Sequence, residues 1–402
     1  MIESLRKAWN ATWTEAAYEE YKAQLATEVG AAIPFRICES PVFLPRELRR
    51  TMVDGAYDLI VELSRPENLE YSRAAVPAAF DVPGCDDPHP LFAVVDFAIV
   101  RENGAPGAFV PRLIELQAFP SLYAFQLFQS RLVRDRFAAA PEPLEFLLSG
   151  LDEAGYLRVV GDAILGGLPP ENVVLMDLDP LRQGTYPDFT ATEKLFGVRS
   201  VCPTTMTKRG RDLYYDRDGR STRILRIYNR MIVDELVEKQ IELPFRLTDP
   251  LDVQWAGHPN WFFRWSKHAL PRLRHPLVPE ARLLSEGVPS DLENWVLKPL
   301  FSFSGTGVVV DVTPEVVAGV PEAQRANTLL MRKVEYAPAI ETTDGQRSRV
   351  EVRLLFVWPD HRPLAVTTLA RLSQGKMMGV KYNKDKTWVG SSACLWPRRV
   401  SE

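Results

Sequence analysis

The feature that most constrains this chain is a pair of apolar runs with polar and acidic residues set inside them. LFAVVDFAIV (91–100) is rich in Val and Phe and reads as a buried strand. ENGAPGAF supplies a turn, and VPRLIELQAF (110–119) reads as the returning strand. The pair predicts a β-hairpin with a long tip. Glu115 and Gln117 are two residues apart, so both side chains leave the same face. Asp96, on the first strand, can be their cross-strand neighbour. A glutamate inside a Leu/Ile/Phe run is unusual, because buried carboxylates are rare unless paired or metal-bound. Three oxygen donors on one sheet face suit Mg²⁺, which leaves room for phosphate and water. Simple alternation accounts for the hairpin equally well, with Ile114, Leu116 and Ala118 facing the core and Glu115 and Gln117 facing water.

Around that hairpin, helical and strand periods alternate. Apolar residues at helical spacing predict an amphipathic helix over 2–28 and a second over 45–64. The stretch 76–90 is loop-rich. A helix is expected over 121–139, beginning near Ser121. ENVVLMDLD (171–179) reads as a strand, 188–197 as a helix ended by Gly197, and VRSVCP (198–203) as another strand. This βαβ rhythm predicts a parallel sheet mid-chain. Two strand-like runs in 212–231 surround Asp218-Gly219, a strong hairpin signal. A short helix is expected over 233–240. Strands follow at 295–301, after the SFSGTG turn, and at 329–336, 349–358 and 364–373.

Composition excludes several classes. Among 402 residues, 48 Lys+Arg face 52 Asp+Glu, giving a formal net charge of -4. Such balance leaves no electrostatic footprint for nucleic acid or anionic membrane. Hydrophobic residues at 46% and charged residues at 25% are ordinary for a globular protein and argue against disorder. The opening residues carry acids and have no long apolar core, so no secretory leader is expected. No stretch reaches the roughly 18 apolar residues of a membrane span. The four cysteines are too scattered for a disulfide framework or a zinc knuckle, so a cytoplasmic protein with reduced thiols is expected. The five histidines lack metal spacing, and neither a GxSxG elbow nor a Cys–His signature occurs.

Two further groups of residues bear on chemistry. In WVLKPLFSFSGTGV, Lys298 sits on a strand that leads into a loop of Ser and Gly (Ser302, Ser304, Gly305, Thr306, Gly307). Small residues let backbone N–H groups approach an anion, and the lysine adds a point charge. The lysine precedes the glycines, unlike a Walker loop. Taken alone, the segment is better read as a hairpin with a glycine turn and a surface lysine. Cations also gather near the end of the chain, with Lys267 earlier. Lys376 and Lys381 read as solvated. Arg353 in RVEVRLLFVW and Arg371 in TTLARLS interrupt apolar strands, where cations beside a glycine loop can grip a triphosphate.

Together, in this order, the segments resemble the ATP-grasp superfamily, in the circularly permuted branch that includes the synthetase domain of glutathionylspermidine synthase. Asp96…Glu115-Leu116-Gln117 resembles that branch's Asp…Glu-x-Asn metal motif. HPNWFFRWSKHALPRL (258–273) is similar to its Trp…Asn-Lys segment, with Lys267 as a phosphate-contacting lysine. WVLKPLFSFSGTGV resembles its Val-x-Lys-Pro-Leu stretch, with Lys298 as the second nucleotide lysine. KVEYAP (333–338) resembles the hinge whose backbone holds adenine, which here is Val334 and Glu335.

The resemblance implies an α+β, ATP-grasp-like fold. Antiparallel sheets would clamp the nucleotide, and an inserted α/β (parallel-sheet) domain would hold substrate. The implied regions are an N-terminal helical region (1–90), a metal-binding hairpin and core (91–160), an α/β region (161–240) and a nucleotide-clamping region (241–402). The implied cofactors are ATP and Mg²⁺, with Mg²⁺ on Asp96, Glu115 and Gln117. The implied reaction is amide-bond formation between small-molecule carboxylate and amine substrates (amino acid, peptide or polyamine) through an acyl phosphate, with Arg353 or Arg371 stabilising the transferring group. Two alternatives stand beside it: an inactive ATP-binding regulatory or scaffold protein, and a phosphotransferase on the same fold.

Overall fold

The computed structural model describes residues 1–102, 108–137, 139–301, 307–375, 378, 383 and 385–398. The loop residues Ser302, Ser304, Gly305 and Thr306, and the cations Lys376 and Lys381, lie outside the described residues.

The chain is mixed α+β. Its centre is an antiparallel sheet in the order Gly390–Ser392, Leu364–Ser373, Arg347–Val357, Phe92–Arg101, Phe109–Gln117, with Pro338–Glu341 also pairing Arg347–Val357. The predicted hairpin forms its far edge. Phe92–Arg101 is buried along nearly its whole length because each face feeds a different core. Phe92 and Val94 join the helices Glu15–Val29, Tyr123–Asp135 and Glu153–Leu165 on one side. Ala93, Val95, Phe97 and Ile99 pack against the helix Arg46–Leu63 on the other, with Met52, Ala56, Leu59 and Ile60. At about 1.5–3 kcal/mol per large apolar side chain buried, these two cores dominate the stability.

A second, four-stranded sheet is wholly parallel, in the order Gln254–Ala256, Arg226–Asn229, Val173–Met176, Arg199–Val201. It includes the βαβ unit read from the sequence, and Gly197 ends its helix Tyr186–Phe196 in the left-handed conformation. A third sheet, Ala281–Leu283, Thr328–Arg332, Trp295–Pro299, is antiparallel. Residues 333–337 run from it into the central sheet.

Several expectations are corrected. The helix over 2–28 is two helices, Glu3–Thr12 and Glu15–Val29. Thr14 is extended and its side chain accepts from the Ala17 N–H, so it caps a new helix rather than continuing the first. The hairpin at Asp218-Gly219 forms, with both residues at positive φ. Its second run splits, however, because Arg226–Asn229 leaves the hairpin to join the parallel sheet. After the SFSGTG turn the expected strand reduces to one bridge, Leu297 to Val309. The helix Glu153–Leu165 was not anticipated, although Asp152 caps its start and Gly166 ends it.

The N-terminal region is stitched to the last strands. Val42–Phe43 runs parallel to Cys394–Pro397, and Ser391 donates its N–H to the Arg36 carbonyl. Gly390 makes that approach possible: its φ is 111°, and a Cβ there would lie 2.2 Å from the Arg36 carbonyl oxygen. All four cysteines are free thiols. Among the described residues no helix is long and apolar enough to cross a membrane. Gly390→Ala is expected to destabilise the protein by about 2 kcal/mol or more, read as a lowered urea midpoint; a change under about 0.5 kcal/mol would show that the approach is not constraining.

Candidate functional site

Strand register assembles the site. Asp96 stands opposite Arg353 on one side and Glu115 on the other, while Glu351 stands opposite Arg371. Residues two apart share a face, so Glu115, Gln117, Asp96, Arg353, Glu351 and Arg371 all project from one surface of the central sheet. A bulge decides the hairpin's half of this. Asp96 pairs with Glu115 but Phe97 pairs with Leu113, leaving Ile114 as the extra residue. Leu113, Leu116 and Ala118 are therefore buried and Ile114 is not, which departs from simple alternation.

The acids and arginines close on each other. Arg353 grips Asp96 with two bonds, Nε to Oδ1 and Nη2 to Oδ2, each 2.6 Å. The Arg371 Nη2 donates to the same Oδ2 at 2.6 Å and to the Glu351 Oε1. The Tyr336 hydroxyl donates to the other Glu351 oxygen at 2.6 Å. Asp96 is 1% exposed and Glu351 4%. Burial pushes the Asp96 carboxyl up, but the Arg353 and Arg371 guanidinium groups outweigh it and hold it below the usual carboxylate range. Asp96, expected as a metal ligand, has both its oxygens engaged by arginines. Arg371 is less committed than Arg353. Its side chain is 38% exposed, and its Nε has no hydrogen-bond partner among the described residues.

The lysines approach from other elements. Lys267 opens the 3-10 turn Lys267–Arg272, which the Ser266 hydroxyl caps by accepting from the His268 N–H. Its Nζ lies 3.3 Å from Glu115 Oε1. Lys298, on Trp295–Pro299, places Nζ 3.4 Å from the Ile114 carbonyl oxygen and from Met331 Sδ. Among the described residues no carboxylate is within ion-pair reach of it. Burial lowers its pKa, only partly offset by nearby Glu115. Gly307 has a φ of 71°, and a Cβ there would come 2.8 Å from the Pro299 ring, so this end of the loop calls for glycine. Val334 is half-buried and Glu335 exposed, in the segment joining the two antiparallel sheets. Glu115, Gln117 and Lys267 also line a narrow crevice with Phe119, Phe262 and Phe301. The WFFRW cluster (261–265) is core: Trp261 and Trp265 are fully buried.

Sequence reading did not single out Glu351 or Tyr336. Glu351 had a usable signal, since it precedes Arg353 by two residues on the same strand. Tyr336 had none, because its partner is set by how two sheets dock. Among the described residues no three His, Cys, Asp or Glu side chains gather closely enough to hold a metal ion. Glu115 and Gln117 nevertheless suit Mg²⁺ as one carboxylate and one amide oxygen, since this ion is commonly held by one or two carboxylates completed by phosphates and water.

The chain is similar in structure to a glutathione synthetase-like effector from Globodera pallida in its apo form, with a TM-score of 0.57 and 11% sequence identity, over 90% of this chain and 96% of that one. The fold is glutathione synthetase-like. At that identity the likeness carries the fold but no activity. No family model matches the chain, and no curated protein matches it in sequence.

Asp96 supplies a test of the network. Its folded pKa lies below its unfolded value of about 3.9, so its stabilisation is present above that pH and is lost as pH falls through the folded value. Asp96→Asn is expected to be less stable than the parent by about 3–5 kcal/mol at pH 7, and the gap should narrow below about pH 4. Urea unfolding across that range checks it; a gap that is constant with pH would assign the loss to shape rather than charge.

Proposed function

We propose that this protein is an ATP-dependent carboxylate–amine ligase that forms an amide through an acyl phosphate and releases ADP and phosphate. One observation supports it above the others: Glu115, two residues from Gln117, stands near three cations, Lys267, Lys298 and Arg371, brought from distant parts of the chain. Convergent cations beside a one-carboxylate metal pair are what phosphoryl transfer requires.

In this reading Lys267 and Lys298 bind the phosphates. Val334 and Glu335 hold the base through their backbone groups. Arg371 faces the charge spread over the transferring phosphoryl group, while Arg353 keeps Asp96, and with it Arg371, in place. Glu115 and Gln117 would hold Mg²⁺, which when bound neutralises phosphate charge. The substrate carboxylate attacks the γ-phosphorus and ADP leaves. The amine nitrogen then attacks the acyl carbon, phosphate leaves, and the nitrogen loses its proton. The parallel sheet would serve as the substrate domain: Asp177, Asn229 and Arg230 stand at the carboxyl ends of its strands, where open parallel sheets bind ligands. The acceptors are an amino acid, a peptide or a polyamine.

The engagement of Asp96 by two arginines favours one second reading, a nucleotide-binding regulatory or scaffold protein without turnover. The two are separated by assaying ADP and phosphate with a panel of carboxylates and amines. The ligase is expected to need both substrates, and Lys298→Ala and Glu115→Ala should each lower the rate at least about 100-fold. Tight Mg-ATP binding with no product across the panel would favour the second reading, and AMP as product would refute the acyl-phosphate route.

A further inference from the structure

We infer that Tyr336 is a positioning residue: through Glu351 it sets the direction of Arg371, and so links the segment read as the adenine hinge to the arginine that faces the phosphates. The inference rests on the nucleotide reading above and deepens it.

Its basis is a division of labour between two arginines that share one carboxylate. Arg353 spends both its Nε and its Nη2 on Asp96. Arg371 is held at Nη2 alone, by Asp96 and Glu351 together. Its Nε is buried without a partner among the described residues, while the side chain as a whole remains 38% exposed. A guanidinium held at one nitrogen by two carboxylates, with part of its side chain still exposed, is a directed anion receptor, because its planar group cannot turn without breaking those bonds.

Glu351 is the shared part of that fixture. One of its oxygens accepts from Arg371 and the other from Tyr336. Tyr336 belongs to a different structural unit. Its segment begins at Lys333, whose N–H donates to the Asn294 carbonyl beside the three-stranded sheet, and it docks on the central sheet where the Ala337 N–H donates to the Ile99 carbonyl. The hydroxyl therefore carries the position of the connecting segment onto Glu351. Burial and then the Glu351 charge push the Tyr336 pKa well above its ordinary value, so the group remains a donor at any working pH. Losing that hydroxyl leaves Glu351 free to rotate about its own side chain, and Arg371 then loses one of its two fixed points.

A purely structural tyrosine would weaken stability without distinguishing ATP from ADP, and its effect would add to that of changing Arg371. A positioning tyrosine acts through Arg371 alone. The test is calorimetry of Mg-ATP and Mg-ADP binding to the full chain, comparing the parent with Tyr336→Phe, Glu351→Gln, Arg371→Gln and the Tyr336→Phe/Arg371→Gln double variant. Tyr336→Phe is expected to erode the preference for ATP over ADP by about five- to ten-fold, with ADP affinity within about two-fold. Glu351→Gln, which keeps an acceptor for Tyr336 but removes the charge on Arg371, should show a similar loss. The double variant should be no worse than Arg371→Gln. An unchanged preference in Tyr336→Phe, or losses that add in the double variant, would overturn the positioning role while leaving the nucleotide site standing. No binding of either nucleotide by the parent would instead remove the nucleotide reading, and this inference with it.

Discussion

A buried carboxylate between two guanidinium groups organises this protein. Asp96 lies at the middle of the central sheet with almost no exposure, and an ion there is tolerated only with its partners in place. Arg353 comes from the neighbouring strand and Arg371 from the strand beyond it. Satisfying one ion therefore pins the relative register of three strands. A one-residue slip would turn each of these groups to the opposite face. The same register brings Glu115 beside Asp96 from the other direction. The stability of the sheet and the geometry of the site are in this sense one problem.

The remaining parts of the site arrive through tertiary docking. Lys267 sits on a short turn after a buried aromatic cluster, and Lys298 on a separate three-stranded sheet. Both reach the Glu115 strand from outside the central sheet. Tyr336 ties the connecting segment back to Glu351. The N-terminal helices and the Arg36–Phe43 stretch brace the last strands, with Ile37 bridging Ser391 and Val42 pairing Cys394. Close packing at Gly390 shows how little tolerance that brace has.

Local signals in the sequence were legible where the chemistry is local. Asp218-Gly219 specifies its hairpin because both positions need positive φ, and Gly197 ends its helix for the same reason. The apolar runs at 91–100, 349–358 and 364–373 became strands because such runs have few other ways to bury themselves. The errors fall where a local tendency met a tertiary demand. Helical periodicity runs through Trp13 and Thr14, yet the chain turns there so that both helices can reach the core. The run after Asp218-Gly219 has one strand-like character but serves two sheets. Val309 meets Leu297 in a single bridge rather than a strand.

The sequence by itself determined which residues carry charge inside apolar strands, and hence that Asp96, Glu115, Arg353 and Arg371 must find partners, because an isolated charge in such a setting is not stable. It also determined those strands and helices whose signals are local, since periodicity and turn residues act over a few neighbours. The tertiary structure alone decided who partners whom. Asp96 went to two arginines more than 250 residues away in the chain. Glu351 and Tyr336 became part of the site by facing across a junction between sheets. Register and docking couple residues of any separation, and no local pattern records which distant charge will stand opposite.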